Sequence, residues 1–300
     1  MSGVRALGVR LRTVPFAAHV ALAPMAATAL IAYAGAALWT LRVSLSSSRS
    51  FPASDWVGLA QYRRLYANER WLHSLDNLWR YGLLFLLATL LAGYLLALLV
   101  DRHARAGTLL RGIFLYPYAL SFIATGLVWQ WMLNPELGVQ HVLRAAGFPD
   151  ARFDWLVDPD RVVCTLVIAT GWQAAGLVMV ILLAGLRGID PDLWRAARVE
   201  GIPAWRMQLQ VVLPQLALPV ATATLLLLTG VAKLYDAVVA MTGGGPGMAS
   251  EVPAKFVMDH LFGRANIALA SAAASSLLLM VAVLLAPLLL LRARAARKSA

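Results

Sequence analysis

Ile189-Asp-Pro-Asp-Leu-Trp-Arg-Ala-Ala-Arg-Val-Glu-Gly-Ile-Pro-Ala-Trp-Arg-Met-Gln-Leu-Gln-Val-Val-Leu-Pro214 joins two long apolar runs, Val162–Leu186 and Val211–Ala232. Asp190 followed by Pro191 is a helix start, with an acceptor side chain at the N-cap and a proline at the first helical position, where no N–H is required. This helix is expected to run to about Glu200, where Gly201 offers a left-handed C-cap. Pro203 then restarts a second helix that leads into the next apolar run. The result is a polar helix–Gly–helix elbow between two membrane-length segments. Ala196 and Ala197 are expected to give its centre a low profile, so that another protein can approach the backbone. The competing reading of these residues is an ordinary amphipathic loop.

Outward from the elbow, six apolar runs organise the chain: Val20–Leu41, Tyr81–Val100, Gly112–Leu133, Val162–Leu186, Val211–Ala232 and Ile267–Leu291. Each is 20 to 25 residues long without a charged side chain, which matches a hydrocarbon core of about 30 Å at about 1.5 Å per residue. The first run follows Arg5, Arg10 and Arg12 but is 22 residues long, longer than the h-region of about 7–15 residues of a signal peptide. It is therefore read as a span. With 60% hydrophobic and 14% charged residues, lipid is the solvent indicated. The net charge of +11 lies in short basic segments beside the apolar runs, a pattern of membrane orientation rather than of a nucleic-acid groove. The segments assigned to the inside hold 14 Lys and Arg, against 12 in the longer outer loops. Both termini are thus placed on the cytoplasmic side.

The expected fold class is all-α: a polytopic membrane protein with six transmembrane helices. Residues 1–19 form a cytoplasmic segment, 20–291 the membrane domain with the loop 187–214, and 292–300 a basic cytoplasmic tail. Cys164 is the lone cysteine, which excludes an intrachain disulfide; its expected role is that of a small buried hydrophobe. Prolines 24, 117, 214, 219 and 287 lie in or at the ends of spans, where neighbouring groups must satisfy the freed carbonyls.

The elbow resembles the coupling loop of ABC-importer permeases, whose pattern reads Glu-Ala-Ala, three residues, Gly, then a hydrophobic-Leu-Pro ending. Ala196, Ala197, Gly201, Leu213 and Pro214 match it, with Glu200 in the acidic slot before the glycine. Arg195 departs from it, reversing the charge of the usual glutamate, so any salt bridge of that glutamate cannot be carried over. Trp56-Val-Gly-Leu-Ala-Gln-Tyr-Arg-Arg-Leu65 and Met241-Thr-Gly-Gly-Gly-Pro-Gly247 are similar to stretches of carbohydrate-type members. Leu115–Phe122, Leu133–Gly138, Phe153–Asp158 and Ala184–Gly188 are similar to those of glucose/mannose-type permeases. The resemblance implies a type I ABC importer permease fold in a bacterial inner (plasma) membrane. It also implies partners: cytoplasmic ABC ATPase subunits, a second permease (expected to be a different chain, because Arg195 leaves the acidic contact to it) and an external sugar-binding protein.

No Walker A motif occurs in the sequence, so no cofactor is expected on this chain; ATP and Mg are expected on the partner ATPase. Gly243–Gly245 lacks a following Gly-Lys-Ser/Thr and reads as a tight outer turn. The implied function is half of a sugar pathway, with a monosaccharide such as glucose or mannose as substrate and an oligosaccharide or glycerol phosphate as alternatives. An uncharged sugar needs hydrogen-bonding groups beside aromatics. The candidates on the spans flanking the elbow are Thr170, Trp172, Gln173, Thr229, Lys233, Tyr235 and Asp236; Lys233 and Asp236 can also simply pair with each other. Trp129 and Trp131 read as an interfacial belt. His19, His73, His103, His141 and His260 are scattered among loops and span ends, which argues against a membrane protease or metal enzyme. A secondary transporter needs no such elbow, and the sequence shows no convincing internal repeat.

Overall fold

A computed structural model describes residues 16–53, 55–103, 107–232 and 234–298. The amino-terminal segment with Arg5, Arg10 and Arg12 lies outside the described residues, as do the side chains of Arg292, Arg294, Arg297 and Lys298. Helix α1 runs Phe16–Ala29, passes through a wider turn at Leu30–Gly35 and continues as Ala36–Ser44. The short α2 (Ala60–Tyr66) precedes the long α3 (Glu69–Arg102), then come α4 (Gly107–Leu115), α5 (Phe122–Met132) and α6 (Val139–Ala145). The central α7 (Val162–Arg187) is followed by α8 (Pro191–Val199), α9 (Ala204–Gln215) and α10 (Ala217–Ala232). On the outer side lie α11 (Asp236–Met241) and α12 (Pro253–Met258), and α13 (Ile267–Lys298) closes the chain. Among the described residues the only extended pairing is a single bridge between Ser46 and Trp56, so the fold is all-α.

Among the described residues four helices are long and apolar enough to cross a membrane unbroken: Val20–Ser44, Glu69–Arg102, Val162–Arg187 and Ile267–Leu284. The other two expected spans are not straight. The third is α4 and α5, bent by 98° between Ala119 and Phe122, and the fifth is α9 and α10, bent by 70° at Leu216. The causes are local. Pro117 sits in the 3-10 turn Tyr116–Ala119 that ends α4. Ser121 then starts α5 as its N-cap, accepting from the Ala124 N–H at 3.1 Å. Pro214 and Pro219 flank Leu216, and each removes a helical donor. In lipid the carbonyls so released need new partners. Leu120 finds one in the Gln173 amide, which donates to its oxygen at 2.6 Å.

The core forms where α3 and α7 run together, with Tyr81, Phe85, Leu166, Met179 and Leu182 buried between them and Leu216. Helices in lipid associate through close packing, because hydrocarbon tails are as apolar as leucine. Glycines provide that closeness on α7. A Cβ on Gly176 would run into the Phe114 carbonyl, and one on Gly185 would lie 2.6 Å from Pro219 Cγ. One on Gly171 would lie 3.2 Å from the Thr89 hydroxyl, while Gly93 of α3 meets Val178 in the same way. Helix α7 therefore receives α3, α4 and α10 on small residues.

One further feature departs from the sequence reading. Cys164 is exposed rather than buried, because Val162, Thr165 and Leu166 occupy the inward face of α7 there. Residues 20–36 of α1 are all exposed, and only its last turns reach α13. An apolar helix without protein neighbours is solvated by lipid or by another subunit.

Substituting Gly176 with valine is expected to cost about 2 kcal/mol or more, since backbone rather than a flexible side chain stands in the way. Gly230→Ala, which meets nothing within 4 Å, should be neutral or stabilising by about 0.5 kcal/mol. Thermal unfolding midpoints of the detergent-solubilised protein compare the two; equal losses would show that the packing argument is wrong.

Candidate functional site

The elbow folds as its residues dictate. The Asp190 carboxylate accepts from the Asp192 N–H at 2.9 Å, and Pro191 fills the first helical position of α8. At the other end Gly201 adopts φ +67°. The Ile202 N–H reaches the Ala197 carbonyl at 2.9 Å and the Gly201 N–H reaches Arg198 at 3.3 Å. This paired closure is the Schellman C-cap, which needs a left-handed residue where glycine stands. Pro203 then opens α9.

The two alanines part company. Ala197 is buried in the same core cluster as Ile189 and Met207, so it seats the elbow on the bundle; Ala196 is exposed. The outward surface carries Val199, 89% exposed, and Trp205, 61% exposed. Glu200 and Gly201 lie between them, also exposed. Arg195 pairs with Asp192 at 2.8 Å along its own helix, both side chains being exposed, an interaction worth little in water. Leu213 and Pro214 are exposed just before the bend at Leu216. Two links tie the elbow to α3: Tyr94 Oη donates to Gln208 Oε1 at 2.6 Å, and Arg187 approaches Asp101 at 3.6 Å.

The candidate pathway residues do not form one cluster. Thr170 is buried, bonding Tyr81 Oη at 2.8 Å and the Leu166 carbonyl at 2.7 Å. Gln173 is buried too and holds the break in the third span. Both serve the interior of the bundle. Trp172 is 43% exposed and meets Trp129 edge-on at 6.1 Å between ring centres. It lines a groove of about 930 Å³ between α3, α4 and α7, together with Thr89, Tyr116 and Ile168. None of the residues lining that groove is charged. The Thr89 hydroxyl is buried beside it without a hydrogen-bond partner. Thr229 donates back to the Leu226 carbonyl at 2.6 Å, Tyr235 lies at the outer end of the fifth span and Asp236 is exposed at the start of α11. Lys233 lies outside the described residues.

Residues 89–298 match the family described as the binding-protein-dependent transport system inner membrane component. This chain belongs to that family. A probable ABC transporter permease, PH1215 of Pyrococcus horikoshii, is 34% identical over 79% of this chain and 82% of its own length. The xylose/arabinose import permease XacH of Haloferax volcanii is 29% identical over 71% and 68%. A solved bacterial ABC transporter for the acidic polysaccharide alginate superposes with a TM-score of 0.76 at 18% identity, covering 94% of this chain and 96% of that one. As a member the chain is a permease component of the inner membrane and acts with a binding protein.

On the outer face of this permease the sequence reading missed an ionic clamp. Arg70, at the start of α3, bonds Glu251 at 2.8 Å and also Asp259. Lys255 reaches Asp259 at 2.7 Å and Glu251 at 3.8 Å. Burial pushes the Glu251 carboxyl up despite its two cations. Burial acts the same way on Asp259, but hydrogen bonds from Lys255 and Arg70 outweigh it and hold that carboxyl below its usual value. The Asn77 amide donates to the Met248 and Glu251 carbonyls, fixing the same loop. Within it Gly243 and Gly244 take φ +62° and +95°, and Thr242 Oγ1 accepts from the Gly244 N–H at 3.2 Å: a tight turn, as its sequence suggests. The i,i+4 spacing of Glu251, Lys255 and Asp259 was the available signal.

Gly201→Ala places a side chain at φ +67° and is expected to cost about 1 kcal/mol, read as faster amide exchange confined to residues 191–202. Arg70→Leu strips the buried Glu251 of its nearest cation and is expected to cost about 3 kcal/mol. A midpoint unchanged in Arg70→Leu would remove the clamp from the account.

Proposed function

We propose that this chain forms half of the solute pathway of an ATP-driven sugar importer, and that the elbow 190–214 receives a separate ATPase subunit. The observation that carries the reading is the rigidly capped helix α8, seated on the core through Ala197 and presenting Val199 and Trp205 outward. An exposed apolar surface at a polar loop marks an interaction site. ATP, with Mg, binds and is hydrolysed on the partner. Closure of the ATPase pair pushes on the two elbows, and the bent joint between α9 and α10, with the Tyr94–Gln208 bond, carries the displacement to α3 and α7. The pathway opens outward as an external binding protein releases its sugar between the two permeases, and hydrolysis resets it. Each ligand works by its different affinity for the two states. The second permease is a different chain, because Arg195 gives this elbow a charge that its partner balances with the usual acid.

The substrate is an uncharged sugar. Trp172 and Tyr116 offer ring faces in the groove, and its uncharged described lining supports a neutral solute over glycerol phosphate. A monosaccharide such as glucose or mannose is the first candidate, supported by the pentoses in the name of the Haloferax relative. The volume of about 930 Å³ favours a second reading, an oligosaccharide, since that is the upper end for small-molecule sites.

Gly201→Pro should abolish co-purification of the ATPase at normal membrane insertion, with loss of ATP-dependent uptake. Unimpaired uptake in that variant would sink docking through the elbow. A panel of labelled mono- and disaccharides, offered to the assembled importer, identifies the solute; transport of an amino acid or ion in place of every sugar would overturn the carbohydrate reading.

A further inference from the structure

Two cavities meet on the outer half of the molecule, away from the groove at Trp172. One, of about 510 Å³, lies between the end of α10, α12 and α13, and its walls include Val257, Leu277, Leu278 and Val281. The other, of about 370 Å³, holds Arg70, Asp259 and Arg264. Tyr235 and Met258 line both, so the two adjoin.

Their depths are set by α13, which enters the membrane at Ile267. Ala274 and Val281, both on the apolar cavity, lie about 10 and about 21 Å further along that helix at about 1.5 Å per residue. Half of a hydrocarbon core is about 15 Å. The apolar cavity thus descends through the outer leaflet and about 6 Å past the midplane, and the polar one sits at headgroup level, with Phe262 exposed at its rim.

Charge distinguishes the two arginines. Arg70 is committed to Glu251 and Asp259. Arg264 lines the polar cavity, is exposed, and has no ion-pair partner among the described residues. Tyr235 stands where the two cavities join, at the boundary depth that amphipathic aromatic rings favour. Among the described residues, no hydrogen-bonding side chain lines the apolar cavity below Tyr235 for a hydrophilic solute. An empty cavity of that size would forfeit dispersion contacts on all its walls.

We propose that this paired cavity binds one phospholipid of the outer leaflet, its phosphate on Arg264 beside Arg70 and one acyl chain lying along α13. Phosphate on an arginine is a charge-assisted contact with geometric fit, and the chain fills the space between α12 and α13. The bound lipid braces the segment that carries Lys255 and Asp259.

The test uses the assembled importer, purified and stripped by detergent exchange. Its thermal midpoint is followed on adding phosphatidylglycerol, diacylglycerol or inorganic phosphate, and its retained phospholipid is counted by native mass spectrometry. Phosphatidylglycerol alone should restore the midpoint. Arg264→Gln should weaken that effect about tenfold, the scale of one charge-assisted hydrogen bond, while Arg264→Lys keeps most of it. Leu278→Trp, which fills the groove from an exposed position, should remove the retained lipid. Equal responses of wild type and Arg264→Gln would overturn the proposal. So would restoration by inorganic phosphate alone, which reduces the site to an anion site. A disulfide from Leu278→Cys to a cysteine on the second permease in native membranes would also overturn it, by giving the groove to the partner.

Discussion

Backbone polar groups cannot be left unpaired in lipid, and this fold breaks two of its spans inside the membrane. Everything else is arranged around that debt. Helix α7 carries most of the answer. Gln173 gives its amide to Leu120 at the break of the third span, and Gly176 lets the Phe114 backbone come into contact one turn further on. The same helix meets the bend of the fifth span through Gly185, against Pro219 and Leu216. A straight, glycine-poor helix at this place would leave both bends unsupported.

The consequence is a molecule that is firm outside and jointed inside. On the outer face, Arg70, Glu251, Lys255, Asp259 and Asn77 cross-link the start of α3 to the loop before α13. His260 packs beneath them on Phe256 at 4.0 Å between ring centres, and burial lowers its basicity, so it adds no charge to the clamp at neutral pH. On the inner face the elbow is seated on the core through Ile189, Ala197 and Met207, with Tyr94 on Gln208 and Arg187 near Asp101.

The features legible in the sequence are those with local causes. Apolar length without charge marked the spans, and Asp190-Pro191 with Gly201 marked the elbow to within a residue, because caps are set by neighbours in the chain. The bends were foreshadowed by Pro117, Pro214 and Pro219, but no run of apolar residues says whether its helix turns by 98°. Direction was the other gap. Ala196 and Ala197 look alike in sequence, yet one faces out and the other seats the helix. Thr170 and Gln173 read as polar groups awaiting a solute; the bundle takes the Thr170 hydroxyl and the Gln173 amide N–H, while the buried Gln173 Oε1 is left without a partner among the described residues. Which face of a helix is inward depends on neighbours far away in the chain, and periodicity is weak when nearly every residue is apolar.

The break at Leu120 is also an electrostatic object. Near the middle of the segment Gly107–Met132, α4 ends and α5 begins, so a weakly negative carboxyl end and a weakly positive amino end face one another at mid-membrane. Side by side, the two half-charges give a local dipole with almost no monopole. Such a field acts on ions and on hydroxyl groups alike, so the break is a polar place that carries no net charge of its own. A helix snapped in two thus places a polar patch without net charge inside an otherwise apolar bundle.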